Sequence, residues 1–168
     1  LADVKPPAVL FSACLLGDAV RYDGGDNLQV HNAIRIWHQN DCIYRLCPEV
    51  AGGLPIPRPA AEIIGAGGDA VLDGSARVVT LDGSDVTPAF LLGAQRTLAV
   101  CQQNNIKIAV LTEGSPSCGS QRIHAGRFSG SKTAGQGVTS ALLRTNGIKV
   151  FSQHQLDEAL LCWSSLSD

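Results

Sequence analysis

The sequence predicts a three-layer α/β/α fold, a mostly parallel sheet with helices on both faces and a small hairpin. Two observations lead there. Hydrophobic residues make up 45% of the 168 residues and charged residues only 17%, below the quarter or so usual in soluble domains. Strands covered on both faces need almost no polar positions, which accounts for the shortfall. Short apolar runs also alternate with stretches whose apolar residues recur every three or four positions, the pattern of strands joined by crossover helices. One domain over residues 1–168 is expected, since this length builds one sizeable core.

The elements follow in order. A first strand runs from about Ala8 to Ala13, ends at Cys14 and passes into a loop holding Arg21-Tyr22-Asp23-Gly24-Gly25. A helix is expected to start near Asp26 or Asn27, either of which can cap it, and to bury Leu28, Ala33, Ile34 and Trp37 before ending near Asn40. The second strand, Cys42 to Leu46, stops at Cys47-Pro48 because proline cannot donate to a ladder. Residues 51–68 are rich in glycine and proline and read as an ordered loop. Val71-Leu72 and Ala76 to Leu81, separated by Asp73-Gly74-Ser75, read as the hairpin. Asp85 caps a long helix whose core stripe is Leu91, Ala94, Leu98 and Cys101. A third strand, Lys107 to Leu111, delivers the loop Ser115 to Gly119. After the glycine-rich passage Gly126 to Gly137, a helix runs through Leu143 and ends near Asn146-Gly147. A last strand, Lys149 to Ser152, precedes a short helix from about Gln155 to Trp163.

Net charge is −2 and the basic residues are scattered, so no broad nucleic-acid footprint is expected. No apolar run approaches a membrane span, and no basic-then-apolar signal segment opens the chain. A cytoplasmic location without membrane partners is therefore expected. The chain opens on Leu1 rather than Met, which leaves open what precedes it, and its oligomeric state is not legible. The even count of six cysteines could mean disulfides, but a chain this large and apolar folds without them. Reduced thiols, some engaged in metal ligation or catalysis, are the better expectation.

Cys14, Cys47 and Cys118 stand apart from the other three thiols. Each follows an apolar run that reads as a buried parallel strand: Ala8 to Phe11, Ile43 to Leu46, and Ile106 to Thr112. Ligands of open α/β sheets bind in the crevice beyond the carboxyl ends of the strands. Three thiols meeting there with no fourth equivalent suggest a metal centre with one coordination position open, although position alone leaves ordinary packing equally open. Cys101 lies on a helix core stripe, Cys42 at the far end of its strand and Cys162 near the C-terminus, where free thiols serve as small hydrophobes. Glu49, two residues past Cys47, can turn its carboxylate into the same crevice, though most such glutamates are solvated loop acids. Ser115 precedes Cys118 by three residues and could equally be a turn serine.

Five ordered motifs settle the family reading. Ser12-Ala13-Cys14-Leu15-Leu16-Gly17, Arg21-Tyr22-Asp23-Gly24, Cys47-Pro48-Glu49-Val50 with Gly52-Gly53-Leu54 and Pro57-Arg58, Ser115-Pro116-Ser117-Cys118-Gly119, and Gly137-Val138-Thr139 with Leu142-Leu143 occur in that sequence. Together, over Leu10 to Ser152, they resemble the small bacterial domain family that includes the thiouracil desulfidases. The resemblance implies that Cys14, Cys47 and Cys118 ligate a [4Fe-4S] cluster with one iron lacking a protein ligand. It implies Glu49 as the acid/base group and Ser115 as a group that positions water or substrate. The expected activity is non-redox conversion of a thiolated nucleobase, most directly 2-thiouracil, to uracil with release of hydrogen sulfide.

Two rivals stay open: a zinc hydrolase on the same three thiolates, and a cluster-bearing sensor that holds sulfide without turnover. Ser12, Asp23 and Ser117 are weaker candidates for lining the substrate site. Asp23 also reads as half of a turn pair. Gly135-Gln136-Gly137 reads as a tight turn before an anion site, and Arg58 as a loop anchor. The four histidines show no ligand spacing, and none is assigned a metal role.

Overall fold

The structure, a computed structural model, describes residues 4–166. Its centre is a four-stranded parallel sheet in the order β2-β1-β5-β8, built from β1 (Val9–Ser12), β2 (Ile43–Leu46), β5 (Ile108–Val110) and β8 (Lys149–Phe151). Leu10 aligns with Tyr44 on one side and Ala109 on the other, and Ala109 aligns with Val150. β1 and β5 are central and buried at every residue, as strands covered on both faces are, whereas edge strand β2 leaves Tyr44 and Arg45 exposed.

Alternation along the strands splits the core into two layers. Val9, Phe11, Ile108 and Val110 face α1 (Asn32–Gln39) and α6 (Leu156–Ser165), meeting Ala33, Ile34, Trp37 and Ala159. Trp37 packs edge-on against both Phe11 and Trp163, with ring centroids 5.5 and 6.3 Å away. Leu10, Ala109 and Val150 face the other way, toward Cys101 of α4 (Thr87–Gln103) and Leu143 of α5 (Val138–Thr145). The three-layer prediction holds. No helix among the described residues is long and apolar enough to cross a membrane.

Three local expectations need correction. Gly68–Asp73 is a helix, α3, rather than a hairpin arm. Its Asp73-Gly74 pair ends that helix, with Gly74 in the left-handed conformation (φ 86°) donating to the Ala70 carbonyl. The hairpin is formed instead by β3 (Ala61–Ile64) and β4 (Arg77–Thr80), so the Gly/Pro loop hides a strand. A second hairpin, β6 (Arg122–His124) with β7 (Lys132–Ala134), crosses the other glycine-rich passage. Finally, α1 begins at Asn32, capped by His31 Nδ1 accepting from the Ala33 amide at 3.0 Å, and Leu28 is exposed. The amides of Asn27 and Gln29 are already committed to the carbonyls of Cys14 and Leu15, both at 2.9 Å. That segment braces the Cys14 turn and cannot also be helical.

Elsewhere the departures are small. The Asp85 carboxylate accepts from the Thr87 amide at 2.9 Å at the start of α4, within one residue of the expected cap. α4 crosses the short helix α2 (Pro48–Ala51) backbone to backbone. A Cβ on Gly93 would lie 2.0 Å from the Pro48 carbonyl oxygen, and one on Gly52 would lie 2.0 Å from that of Ala89. Alanine at Gly93 gains about 1 kcal/mol of helix propensity. The overlap must nevertheless push the two helices apart, at about 1–3 kcal/mol for overpacking. Gly93→Ala is therefore expected to melt several degrees lower in thermal denaturation and, because Pro48 separates Cys47 from Glu49, to lose activity as well.

Candidate active site

The carboxyl ends of β2, β1 and β5 lie side by side, and each hands the chain to a tight turn carrying one thiol. After β1, a single 3-10 turn (Ala13–Leu16) places Cys14. After β2, Cys47 caps α2, which puts Glu49 in its first turn. After β5, the loop 111–121 carries Ser115 and Cys118. Cys14, Cys47, Cys118, Ser12, Glu49 and Ser115 line one cavity of about 250 Å³. Such a space suits a small molecule.

The thiols are free and poorly solvated. Burial pushes the Cys118 thiol well up, and the neighbouring Ser12 hydroxyl, donating to its sulfur at 3.4 Å, offsets this only in part. Burial also raises Cys14, against the pull of Thr112 Oγ1 at 2.9 Å, and raises Cys47. Cys47 adds charge repulsion at both of the other sulfurs, as groups sharing one space must. Three crowded, desolvated thiols favour a bound cation that lets them shed their protons. Among the described residues, no three Cys, His, Asp or Glu side chains gather as ligands of a single ion. A multi-iron cluster occupies more room than one ion, and its ligands are thiolates; the donor set fits it.

Glu49 is held from two sides. Arg58 Nε donates to Oε1 at 3.1 Å, while its terminal nitrogens donate to the Val20 and Pro55 carbonyls. The Ser115 hydroxyl reaches Oε2 at 3.4 Å. Ser115 Oγ itself accepts from the amides of Ser117 and Cys118 at 3.0 and 3.1 Å. One hydroxyl therefore shapes the Cys118 loop and addresses the carboxylate.

Other candidates lie elsewhere. Ser117 is buried against Thr139 at 2.8 Å and does not line the cavity. Asp23 folds back onto the Gly25 amide at 2.9 Å in an exposed turn, also off the cavity wall. The turn reading of Gly135-Gln136-Gly137 fits the hydrogen bonding, because the Gly137, Val138 and Thr139 amides are taken by the carbonyls of Gly119, Pro116 and Ser117. Burial raises the Cys101 thiol to about 11 in an apolar setting, the signature of an inert packing cysteine.

The sequence reading missed Glu113. Its carboxylate accepts from the amides of Ser120, Gln121 and Arg122 at 2.9–3.0 Å and from the Ser120 hydroxyl at 2.7 Å. Partial burial raises its pKa, but these donors outweigh that and leave it lowered. It ties the Cys118 loop to β6. Glu62 and His124 of the cavity wall were missed as well.

The family comparison agrees with this geometry. The model of the 2-thiouracil desulfurase family matches residues 9–155. The chain belongs to the 2-thiouracil desulfurase family. An uncharacterized protein of Bacillus subtilis (strain 168), YbbK, is 43% identical over 152 residues, which is 90% of this chain and 99% of YbbK. A solved structure described as the [4Fe-4S]-dependent thiouracil desulfidase TudS superposes with a TM-score of 0.86 at 47% identity, covering 94% of this chain and 98% of that one. Membership in the 2-thiouracil desulfurase family makes the chain an enzyme of the desulfidase class.

Proposed function

We propose that this chain is an iron–sulfur-dependent desulfidase that converts a thiolated nucleobase, 2-thiouracil first among them, to the oxo base with release of hydrogen sulfide. The observation that supports it most is the placement of three free, buried thiols, Glu49 and Ser115 on one small cavity. Cys14, Cys47 and Cys118 would hold a [4Fe-4S] cluster with one iron free of protein ligands, as the dependence of the similar TudS suggests. When bound, such a cluster supplies a Lewis-acidic iron for sulfur.

The remaining work falls to the chain's own residues. Water replaces sulfur at the thiocarbonyl carbon: a C–O bond forms, the C–S bond breaks, and the two water protons leave with sulfide as H₂S. Carbon keeps its oxidation level, so the balance requires no external electron donor. Glu49 Oε2 is the acceptor that can take a proton from the attacking water and return one to the departing sulfur. Ser115, at 3.4 Å from that oxygen, orients the water or relays the proton. Arg58, bonded to the other oxygen, fixes the direction in which the carboxylate points.

The test is protein purified without oxygen, analysed for iron and acid-labile sulfide and then supplied with 2-thiouracil. Uracil and hydrogen sulfide in equal amounts are expected. Zinc in place of iron would favour the hydrolase reading, and thiouracil binding without uracil release would favour a sensor.

A further inference from the structure

The cavity has a second wall, made by β3 and β6, that the proposed chemistry leaves unused. Glu62 and His124 both line it. Glu62 is buried, and its Oε1 accepts from the Gly126 amide at 2.9 Å, two residues past His124. The carboxylate is thus tied to the end of the strand that carries the imidazole. Among the described residues, Oε2 has no partner and is not among the buried unpartnered atoms, so this oxygen is the open one.

His124 Nδ1 is buried with no hydrogen-bond partner. A buried N–H with nothing to donate to is costlier and rarer than an idle acceptor. That environment assigns the proton to Nε2, the ring nitrogen left open on a residue that lines the cavity. The wall therefore offers one fixed donor, His124 Nε2–H, and one acceptor, Glu62 Oε2. We propose that His124 and Glu62 are specificity-determining residues that read a carbonyl next to a ring N–H, the imide edge of a uracil-type thiobase. The inference rests on the desulfidase reading and names the substrate class it serves. A cytosine-type base presents the reverse pattern, an amino donor beside a bare ring nitrogen. It would set donor against donor and acceptor against acceptor.

The test compares kcat/KM for 2-thiouracil and 2-thiocytosine on cluster-loaded protein, and binding of uracil and cytosine to cluster-free protein by calorimetry. Mismatched polar groups left unpaired support a preference for 2-thiouracil of about 100-fold or more. His124→Ala should narrow that ratio about tenfold, and His124→Gln serves where alanine unsettles the hairpin. In Glu62→Gln the amide oxygen stays on the Gly126 N–H and turns an N–H into the cavity, which should shift selectivity toward the cytosine type. A wild-type ratio near one, or a ratio unchanged in both variants, overturns the proposal. Should loaded protein turn over neither thiobase, the desulfidase reading fails; the recognition edge would still show as uracil binding over cytosine that both variants weaken. Binding of neither base overturns the edge too.

Discussion

Alanine at Cys14, Cys47 or Cys118 is expected to strip the protein of its cluster. Each would supply one of only three protein thiolates, and each is buried or half-buried, so a hole rather than a substitute ligand is left behind. Protein purified without oxygen should lose its brown absorption and most of its iron and acid-labile sulfide in any of the three variants, and turnover should fall below detection. Cys101→Ala is the matched control. Its thiol lies at zero exposure in the apolar layer under α4, so the substitution should cost stability through a small cavity and leave iron content unchanged. Iron lost as completely from Cys101→Ala as from Cys118→Ala would show that the six thiols had been divided wrongly.

The trio could be read from sequence because each thiol sits at a junction with a strong local signature. An apolar run that alternates to bury both faces stops at proline, glycine or serine, and parallel strands put all such stops at one edge. What could not be read was set by hydrogen bonds between distant segments. The start of α1 was displaced because Asn27 and Gln29 give their amides to the Cys14 turn. Asp73-Gly74 carries the same turn chemistry whether it joins strands or ends a helix, and only the pairing of β4 with β3 decides between them. Glu62, Glu113 and His124 carry no local motif. Their importance comes from a carboxylate meeting amides 7 to 64 positions away, and from an imidazole turned toward the cavity by a hairpin that β-propensity barely marks. Ser117 and Asp23 failed in the opposite sense. Their motif neighbours reach the cavity, but one hydroxyl is spent on Thr139 and one carboxylate on its own turn.

Replacing Glu49 by Gln should reduce thiouracil turnover by about two to four orders of magnitude, the usual worth of a positioned acid or base. The geometry makes this a clean substitution. The amide oxygen can keep the contact from Arg58 Nε, and the amide nitrogen takes the place of the oxygen facing Ser115. Size and most hydrogen bonding survive, while the group can no longer take up and release a proton. One cost is foreseeable: Arg58, with a side chain only 4% exposed, loses the carboxylate that balances its charge. Breaking a fully buried pair costs about 3–5 kcal/mol. Here the loss should be smaller, because two backbone carbonyls still accept from the guanidinium. Kinetics must therefore be measured well below the lowered melting temperature, with iron content scored in the same sample. Ser115→Ala is a less direct probe of proton relay, since Ser115 Oγ also accepts the Cys118 amide and its removal loosens a ligand loop. Its fall in turnover carries meaning only per loaded cluster. If Glu49→Gln retains full iron and near-normal kcat, the proton passes through another group, and Glu62, the other buried carboxylate on the cavity wall, is the next residue to replace.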